Sequence, residues 1–126
     1  MSLSNVSILV CDDSILARKQ LKDVISAFSN EITIKEAANG QEAVDIYKKL
    51  NPNMVFLDIV MPVKDGISAV QEIMEYDDDA DIIIVSSTGT QAQLKNAIEA
   101  GAKDFIQKPF SDTQVSKVLK NHLGEE

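Results

Sequence analysis

The strongest constraint on the fold is an alternation of two kinds of segment along the chain. Short apolar runs separate longer segments in which apolar residues recur at helical spacing. The runs predict strands at Ser7–Cys11, Ile32–Ala37, Met54–Leu57, Ile82–Val85 and Phe105–Gln107. The spacing predicts helices at Ile15–Phe28, Gln41–Leu50, Gly66–Tyr76, Gln91–Ala100 and Asp112–Leu123. Strands that alternate with helices form right-handed βαβ units, so we expect an α/β fold whose five-stranded parallel sheet is covered on both faces.

Length and charge limit the classes of function. The chain has 126 residues, so we expect a single domain spanning residues 1–126. A net charge of −8 argues against direct binding of nucleic acid or of anionic membranes, which needs clustered cations. We find neither a secretory signal nor the roughly 20 consecutive apolar residues of a membrane helix, and therefore expect a cytoplasmic protein. The single cysteine, Cys11, ends an apolar run and is interpreted as a small buried hydrophobe.

Helix ends and faces can also be predicted. Ser14 or Asp13 is expected to cap the first helix, and an Asp or Ser the last. Asp65-Gly66 is interpreted as a turn. The apolar face of the first helix is predicted to contain Ile15, Leu16, Leu21, Val24, Ile25 and Phe28.

Polar residues follow four of the predicted strands. Because ligands bind beyond the carboxyl ends of parallel strands, these residues are the candidates for function. In chain order they are Asp12 and Asp13, then Asp58, then Ser86 with Ser87 and Thr88, and finally Lys108 before Pro109. If the first and third strands are neighbours, three carboxylates, a hydroxyl and an ammonium meet in one pocket.

The chemistry of such a pocket is restricted by repulsion. Two like charges 4 Å apart repel by roughly 4 kcal/mol at an effective dielectric of about 20. One lysine does not neutralise three carboxylates, whereas Mg²⁺, which prefers oxygen ligands, would. A carboxylate beside Mg²⁺, with a hydroxyl and a lysine within reach, is equipped to accept a phosphoryl group.

With these residues assembled, the chain resembles the receiver domains of two-component response regulators, of the stand-alone, CheY-like kind. The likeness extends from "ILVCDDS" through "MVFLDIVMPVKDG" and "IIIVSSTG" to "AGAKDFIQKPF". It implies a flavodoxin-like doubly wound sheet with strand order 2-1-3-4-5. It also implies a sensor histidine kinase or phosphotransfer protein as phosphodonor, and a downstream target protein. We expect a monomer, with dimerisation on phosphorylation left open.

The resemblance assigns a role to each candidate. Asp58 would be the phosphoacceptor; Asp13 would ligate Mg²⁺ directly, and Asp12 largely through water. The main-chain carbonyl of Val60 would complete the protein ligands of Mg²⁺. Lys108 would pair with the phosphoryl group, and its peptide bond to Pro109 would be cis. Ser86 would be the switch hydroxyl, with Ser87 and Thr88 as the neighbouring alternatives. Phe105 would be the switch aromatic, which turns inward and alters the face formed by the fourth helix, fifth strand and fifth helix.

Alternatives from other classes are less well supported by the residues. A phosphatase of the haloacid-dehalogenase type needs a second acid two residues after the nucleophile, where this chain has Val60. A flavin mononucleotide binder needs phosphate donors after the first strand, where "DDS" presents carboxylates. A receiver domain cut from a longer DNA-binding regulator remains an alternative.

Several residues also have a plainer interpretation. Asp13 could serve as a helix cap, and Lys108 alone could be a surface lysine at a strand end. His122 is predicted to be structural or solvent-facing, and Asp77-Asp78-Asp79 a solvated loop.

Overall fold

The computed structural model describes residues 3–87 and 91–124. Five strands alternate with five helices. The strands are β1 (Ser7–Cys11), β2 (Thr33–Ala37), β3 (Met54–Leu57), β4 (Ile82–Ser86) and β5 (Asp104–Gln107). The helices are α1 (Ile15–Phe28), α2 (Gly40–Leu50), α3 (Gly66–Tyr76), α4 (Gln91–Ala100) and α5 (Asp112–Leu123). All neighbouring strands are parallel and lie in the order β2-β1-β3-β4-β5, which confirms the predicted fold class.

The central strands are buried on both faces of the sheet. β1, β3 and β4 consist mostly of apolar residues, as strands covered by helices on both sides require. One core cluster lies under α2, α3 and α4, and the other under α1 and α5. β2 and β5 form the two edges of the sheet.

Some predicted element ends are shifted. β2 begins one residue later than predicted, α2 begins at Gly40, and β5 begins at Asp104. β4 continues to Ser86 because Ser86 is still paired with Gln107 of β5. The switch-hydroxyl candidate is therefore the last residue of β4, and not the first residue after it.

Helix caps settle the open choices. Ser14 caps α1, because its side chain accepts a hydrogen bond from the amide of Ala17. Ser111 caps α5 in a capping box. Asp65 caps α3, so the predicted turn at Asp65-Gly66 is the start of a helix.

The first turn of α1 corrects a prediction. Ile15 and Leu16 were expected on the buried face, but they are 75% and 67% exposed. At 3.6 residues per turn, both side chains lie more than about 90° around the helix from the centre of its buried face, so the predicted face was wrong at these two positions. The buried residues of the helix are Ala17, Leu21, Val24 and Ile25.

None of the helices in the described ranges is long and apolar enough to cross a membrane. The extent of the domain, residues 1–126, stays a prediction.

Candidate functional site

Three acids lie together at the carboxyl ends of β1 and β3. Cys11 and Leu57, the last residues of these strands, are paired, and the amide of Asp58 donates to the carbonyl of Cys11 (3.1 Å). This register places the two acid-bearing loops side by side. Carboxylate oxygens of Asp12, Asp13 and Asp58 lie within 4.8 Å of one another. The predicted convergence of the acids is thus present.

The three acids differ in environment. Asp12 and Asp58 are buried, with 1% and 8% of their surface exposed, whereas Asp13 is exposed. The Oδ1 atom of Asp12 accepts from the amide of Ser14 (2.9 Å), and Oδ1 of Asp58 accepts from the amide of Ile59 (2.7 Å). The pocket therefore has two fixed carboxylates at its base and one at its solvent side.

Lys108 reaches this pocket from the end of β5. Its Nζ atom lies 2.6 Å from Oδ2 of Asp12 and 3.3 Å from Oδ2 of Asp58. Its amide donates to the carbonyl of Ser86 (3.0 Å), which ties the residue to the end of β4. The bond between Lys108 and Pro109 is cis, as the resemblance implied.

The charges in the pocket do not balance. Three carboxylates and one ammonium leave a formal charge of −2, and two unit charges 4.8 Å apart repel by roughly 3 kcal/mol at an effective dielectric of about 20. Burial raises the pKa of Asp58; Lys108 opposes this rise and Asp12 adds to it. Burial lowers the pKa of Lys108, but its contacts with Asp12 and Asp58 outweigh burial and raise it.

The donor set fits Mg²⁺. All three acids offer oxygen, which this hard cation prefers, and Mg²⁺ usually takes one or two carboxylates directly while it keeps several waters. Asp13 faces solvent, where such waters would be accommodated. A divalent cation would also cancel the formal charge of −2.

Gly66 supports Asp58 from the backbone side. Its amide donates to the carbonyl of Ile59 (2.7 Å), and a Cβ on Gly66 would lie 2.0 Å from the carbonyl oxygen of Asp58. Only glycine permits this close approach. The sequence pattern identified the Asp-Gly pair only as a turn, so this role was missed.

The same loop contains a strained residue. Val63 has φ of 68°, and the amide of Lys64 donates across it to the carbonyl of Pro62 (2.7 Å). This is a γ-turn with a positive φ, a conformation that is rare and costly for a β-branched residue. The Val63 side chain is 82% exposed, so packing does not compensate for the strain.

The remaining candidates lie around the pocket. Ser86 is buried, Ser87 is exposed, and Thr88 lies outside the described residues. Phe105 is half-buried and packs against the core cluster under α2, α3 and α4. The side chain of Val60 is 56% exposed, two residues after Asp58.

Arg18 is a residue that sequence reasoning missed. Its Nη1 atom donates to the main-chain carbonyl of Asp12 (2.6 Å), and its Nε atom donates to Oε1 of Glu36 (2.9 Å). Arg18 lies one helical turn after the cap Ser14, which is the only sequence signal that places it near the acids.

Three other predictions concern residues outside the pocket. Cys11 is buried, and burial raises the pKa of its thiol, as expected of a small buried hydrophobe. His122 is structural, because its ring lies between Asp81 and Asp104. Asp77 is half-buried and accepts a hydrogen bond from the Tyr47 hydroxyl (2.8 Å), so it is less solvated than predicted.

Comparison with known proteins places this fold and site in a family. The family model of the response regulator receiver domain matches residues 8–120. The chain is 47% identical to the chemotaxis protein CheY of Thermotoga maritima over 112 residues, which cover 89% of this chain and 92% of that protein. It is 42% identical to the chemotaxis protein CheY of Bacillus subtilis over 117 residues, covering 93% of this chain and 97% of that protein.

A solved structure shows the same architecture. In the CheX–CheY–BeF₃–Mg²⁺ complex from Borrelia burgdorferi, the matching chain has a TM-score of 0.87 and 35% identity, with 95% of this chain and 90% of that chain covered. The chain therefore belongs to the response regulator receiver domain family, the CheY-like signalling modules of two-component systems. Members of this class are signalling modules, in contrast to the phosphatase alternative, which would be a true enzyme.

Proposed function

We propose that this protein is a phosphorylatable signalling module that accepts a phosphoryl group on Asp58 in the presence of Mg²⁺. The donor would be a sensor histidine kinase or a phosphotransfer protein in the cytoplasm. The observation that carries the proposal is the meeting of Asp12, Asp13 and Asp58 with Lys108 at one edge of the sheet. Such an excess of negative charge is unfavourable for stability, and a bound cation, which can in turn hold the phosphoryl group, would offset it.

The residues have distinct parts in the transfer. An oxygen of Asp58 attacks phosphorus as the P–N bond to the donor histidine breaks, and the bonding electrons leave with the imidazole. The Ile59 amide holds Oδ1 of Asp58, which fixes the rotation of the carboxylate. The Lys108 ammonium, already 3.3 Å from Oδ2, neutralises charge on the incoming group. Mg²⁺, held by Asp12, Asp13, Asp58 and the Val60 carbonyl, would supply further neutralisation.

The product then has to be read by a partner. Ser86 and Phe105 lie on the adjacent strands β4 and β5, and we propose them as the switch pair that couples the phosphoryl group to the face formed by α4, β5 and α5. A cavity of about 500 Å³ opens on this face. It is lined by Phe105, Gln107, Gln114, Lys117 and Asn121, among others. The downstream target would bind here, and the identity with chemotaxis proteins favours a chemotaxis-type pathway.

The lifetime of the phosphorylated form follows from Val60. Its aliphatic side chain is exposed beside the acceptor and offers no hydrogen bond to orient an attacking water. We therefore expect self-hydrolysis slower than that of the fastest members of the family. A half-life of only seconds with Mg²⁺ and no phosphatase would contradict this expectation.

Acetyl phosphate provides the direct test of the acceptor. Wild type, Asp58→Asn and the control Asp78→Asn, which removes an exposed acid outside the pocket, are incubated with acetyl phosphate and Mg²⁺ and weighed by mass spectrometry. Wild type and Asp78→Asn should each gain one phosphoryl group that is labile to base, and Asp58→Asn none. Omitting Mg²⁺ or adding a chelator should abolish the gain. Equal labelling of Asp58→Asn would exclude Asp58 as the acceptor.

A further inference from the structure

Asp12 is held at every hydrogen-bonding group that it has. Its amide donates to the carbonyl of Ala37 on β2 (3.1 Å), and its Oδ1 accepts from the amide of Ser14 (2.9 Å). Its Oδ2 lies 2.6 Å from Lys108, and its main-chain carbonyl accepts from Arg18 (2.6 Å). Of these partners, Arg18 alone is a side chain that touches the acid-bearing loop without facing the pocket.

The carbonyl that Arg18 binds belongs to the peptide unit between Asp12 and Asp13. Since a peptide unit is planar, fixing the direction of its carbonyl also fixes the orientation of the amide that begins Asp13. Asp13 is the exposed member of the acid trio. The Arg18 guanidinium is thus placed to set the backbone orientation at Asp13, and with it the position of the Asp13 carboxylate.

Arg18 is itself oriented by Glu36 on β2. The Nε atom of Arg18 lies 2.9 Å from Oε1 of Glu36, while Lys22, one turn further along α1, lies 2.9 Å from Oε2. The planar guanidinium can donate to the Asp12 carbonyl and to Glu36 at once, whereas a lysine ammonium on a flexible chain lacks this fixed fork. The side chain of Arg18 is 15% exposed and that of Glu36 is 39% exposed.

Stability alone does not account for this arrangement. Ion pairs near the surface stabilise a fold by roughly 0–1 kcal/mol, and Lys22 already pairs with Glu36 without Arg18. The contact that distinguishes Arg18 from Lys22 is the short hydrogen bond to the Asp12 carbonyl.

We propose that Arg18 is a positioning residue that, braced by Glu36, aligns the Asp12–Asp13 peptide so that both carboxylates converge for cation binding. This inference rests on the proposed Mg²⁺-dependent function and adds a residue that acts on the site through the backbone. Partners that orient the ligands of a metal typically change metal affinity by about 10-fold to 100-fold when they are removed.

The test compares four variants of the full chain. Arg18→Met removes both contacts, Arg18→Lys keeps the charge without the fork, and Glu36→Gln weakens the brace. Lys22→Met is the matched control, because it removes a cation from the same helix that also pairs with Glu36 but does not touch Asp12. Mg²⁺ affinity is measured by calorimetry without phosphodonor, and hydrogen exchange of the Ser14 amide is measured without metal.

We expect Arg18→Met to weaken Mg²⁺ binding by about tenfold or more. Arg18→Lys should recover part of this loss, Glu36→Gln should weaken binding less, and Lys22→Met should bind as wild type does. Exchange of the Ser14 amide, which donates to Asp12, should accelerate in Arg18→Met while the core strands exchange at unchanged rates.

Each contrary result has a separate meaning. Equal Mg²⁺ affinity in Arg18→Met and Lys22→Met would overturn the positioning role while leaving the proposed function intact. Faster exchange throughout the core would overturn it as well, because Arg18 would then act on global stability. Failure of wild type to bind Mg²⁺ would instead overturn the proposed function, and this inference with it.

Discussion

Acids gather at both ends of the sheet, but the two ends treat them differently. At the carboxyl end, Asp12, Asp13 and Asp58 share the single ammonium of Lys108. At the amino end, the acids Asp81, just before β4, and Asp104, the first residue of β5, flank the imidazole of His122 near the end of α5.

The amino end is a closed arrangement. Nδ1 of His122 lies 2.8 Å from Oδ1 of Asp81, and Nε2 lies 3.1 Å from Oδ2 of Asp104. Both ring nitrogens have an acidic partner. This cluster links α5 to Asp81 and Asp104, and each of the two acids contacts a ring nitrogen of His122.

The carboxyl end is an open one. It has an excess of negative charge, a strained Val63 and exposed aliphatic side chains at Ile15 and Leu16. Features that lower stability are thus concentrated where a ligand would compensate for them, as is common at functional sites. The comparison predicts opposite signs: substitutions at the amino end should destabilise the fold, and selected ones at the carboxyl end should stabilise it.

The largest effect is expected from His122→Gln. The substitution removes the bridge between Asp81 and Asp104 and leaves two carboxylates with weaker partners, which should lower the free energy of unfolding by about 2 kcal/mol. Urea unfolding measures the loss. The neighbouring exposed substitution Asn121→Gln serves as the control and should change stability by less than about 0.5 kcal/mol. If His122→Gln proved as stable as Asn121→Gln, the amino-end cluster would not be a stabilising one.

Asp58→Asn should act in the opposite direction. Without metal, the substitution removes the cost of burying this charge and its repulsion by Asp12 but forfeits its attraction to Lys108, for a net gain of about 1 kcal/mol at pH 7. Because the pKa of Asp58 is raised in the folded state, its ionised form lowers the stability of the folded protein, and this loss reaches its full size above the folded-state pKa. The gain should therefore vanish as the pH falls below about 4, the value in an unfolded chain.

Thermal or urea unfolding at several pH values checks this expectation. Adding Mg²⁺ should stabilise wild type and leave Asp58→Asn less affected. Asp78→Asn, at an exposed position, should show neither behaviour. A loss of stability in metal-free Asp58→Asn would mean that the attraction to Lys108 exceeds the repulsion at this site.

The smallest effect is expected from Val63→Gly. A left-handed φ costs a residue with a Cβ roughly 1–2 kcal/mol, and glycine at position 63 would relieve this strain. The greater freedom of glycine in the unfolded chain offsets about half of the stability gained. The variant should be more stable by about 0.5 kcal/mol in urea unfolding. Val63→Ala retains the Cβ and the strain, so it should gain little. Equal stabilisation by glycine and alanine would mean that the gain comes from removing the exposed valine side chain, and not from relief of backbone strain.

The sequence predicts most of this fold because its periodicities are clear. Strand and helix ends fall within one residue of their predicted positions, and the rule for strand carboxyl ends brings the acids and Lys108 together. Strand order came from the resemblance, since periodicity says nothing about which strands are neighbours.

The contacts that sequence reasoning did not predict share a physical cause. Arg18 donates to a main-chain oxygen, and main-chain acceptors have no residue signature. The bridge by His122 depends on where the end of α5 meets two strands, which is a tertiary relation. Ile15 and Leu16 were assigned to the wrong face, since a helix with 3.6 residues per turn directs both away from the side that buries Leu21 and Ile25.

The close approach of Gly66 to the Asp58 carbonyl has a practical consequence for engineering. A mutagenesis library that diversifies the segment after β3 in search of altered lifetimes should keep the codon for residue 66 constant. Most replacements there would remove clones from the folded pool before any screen could score their signalling.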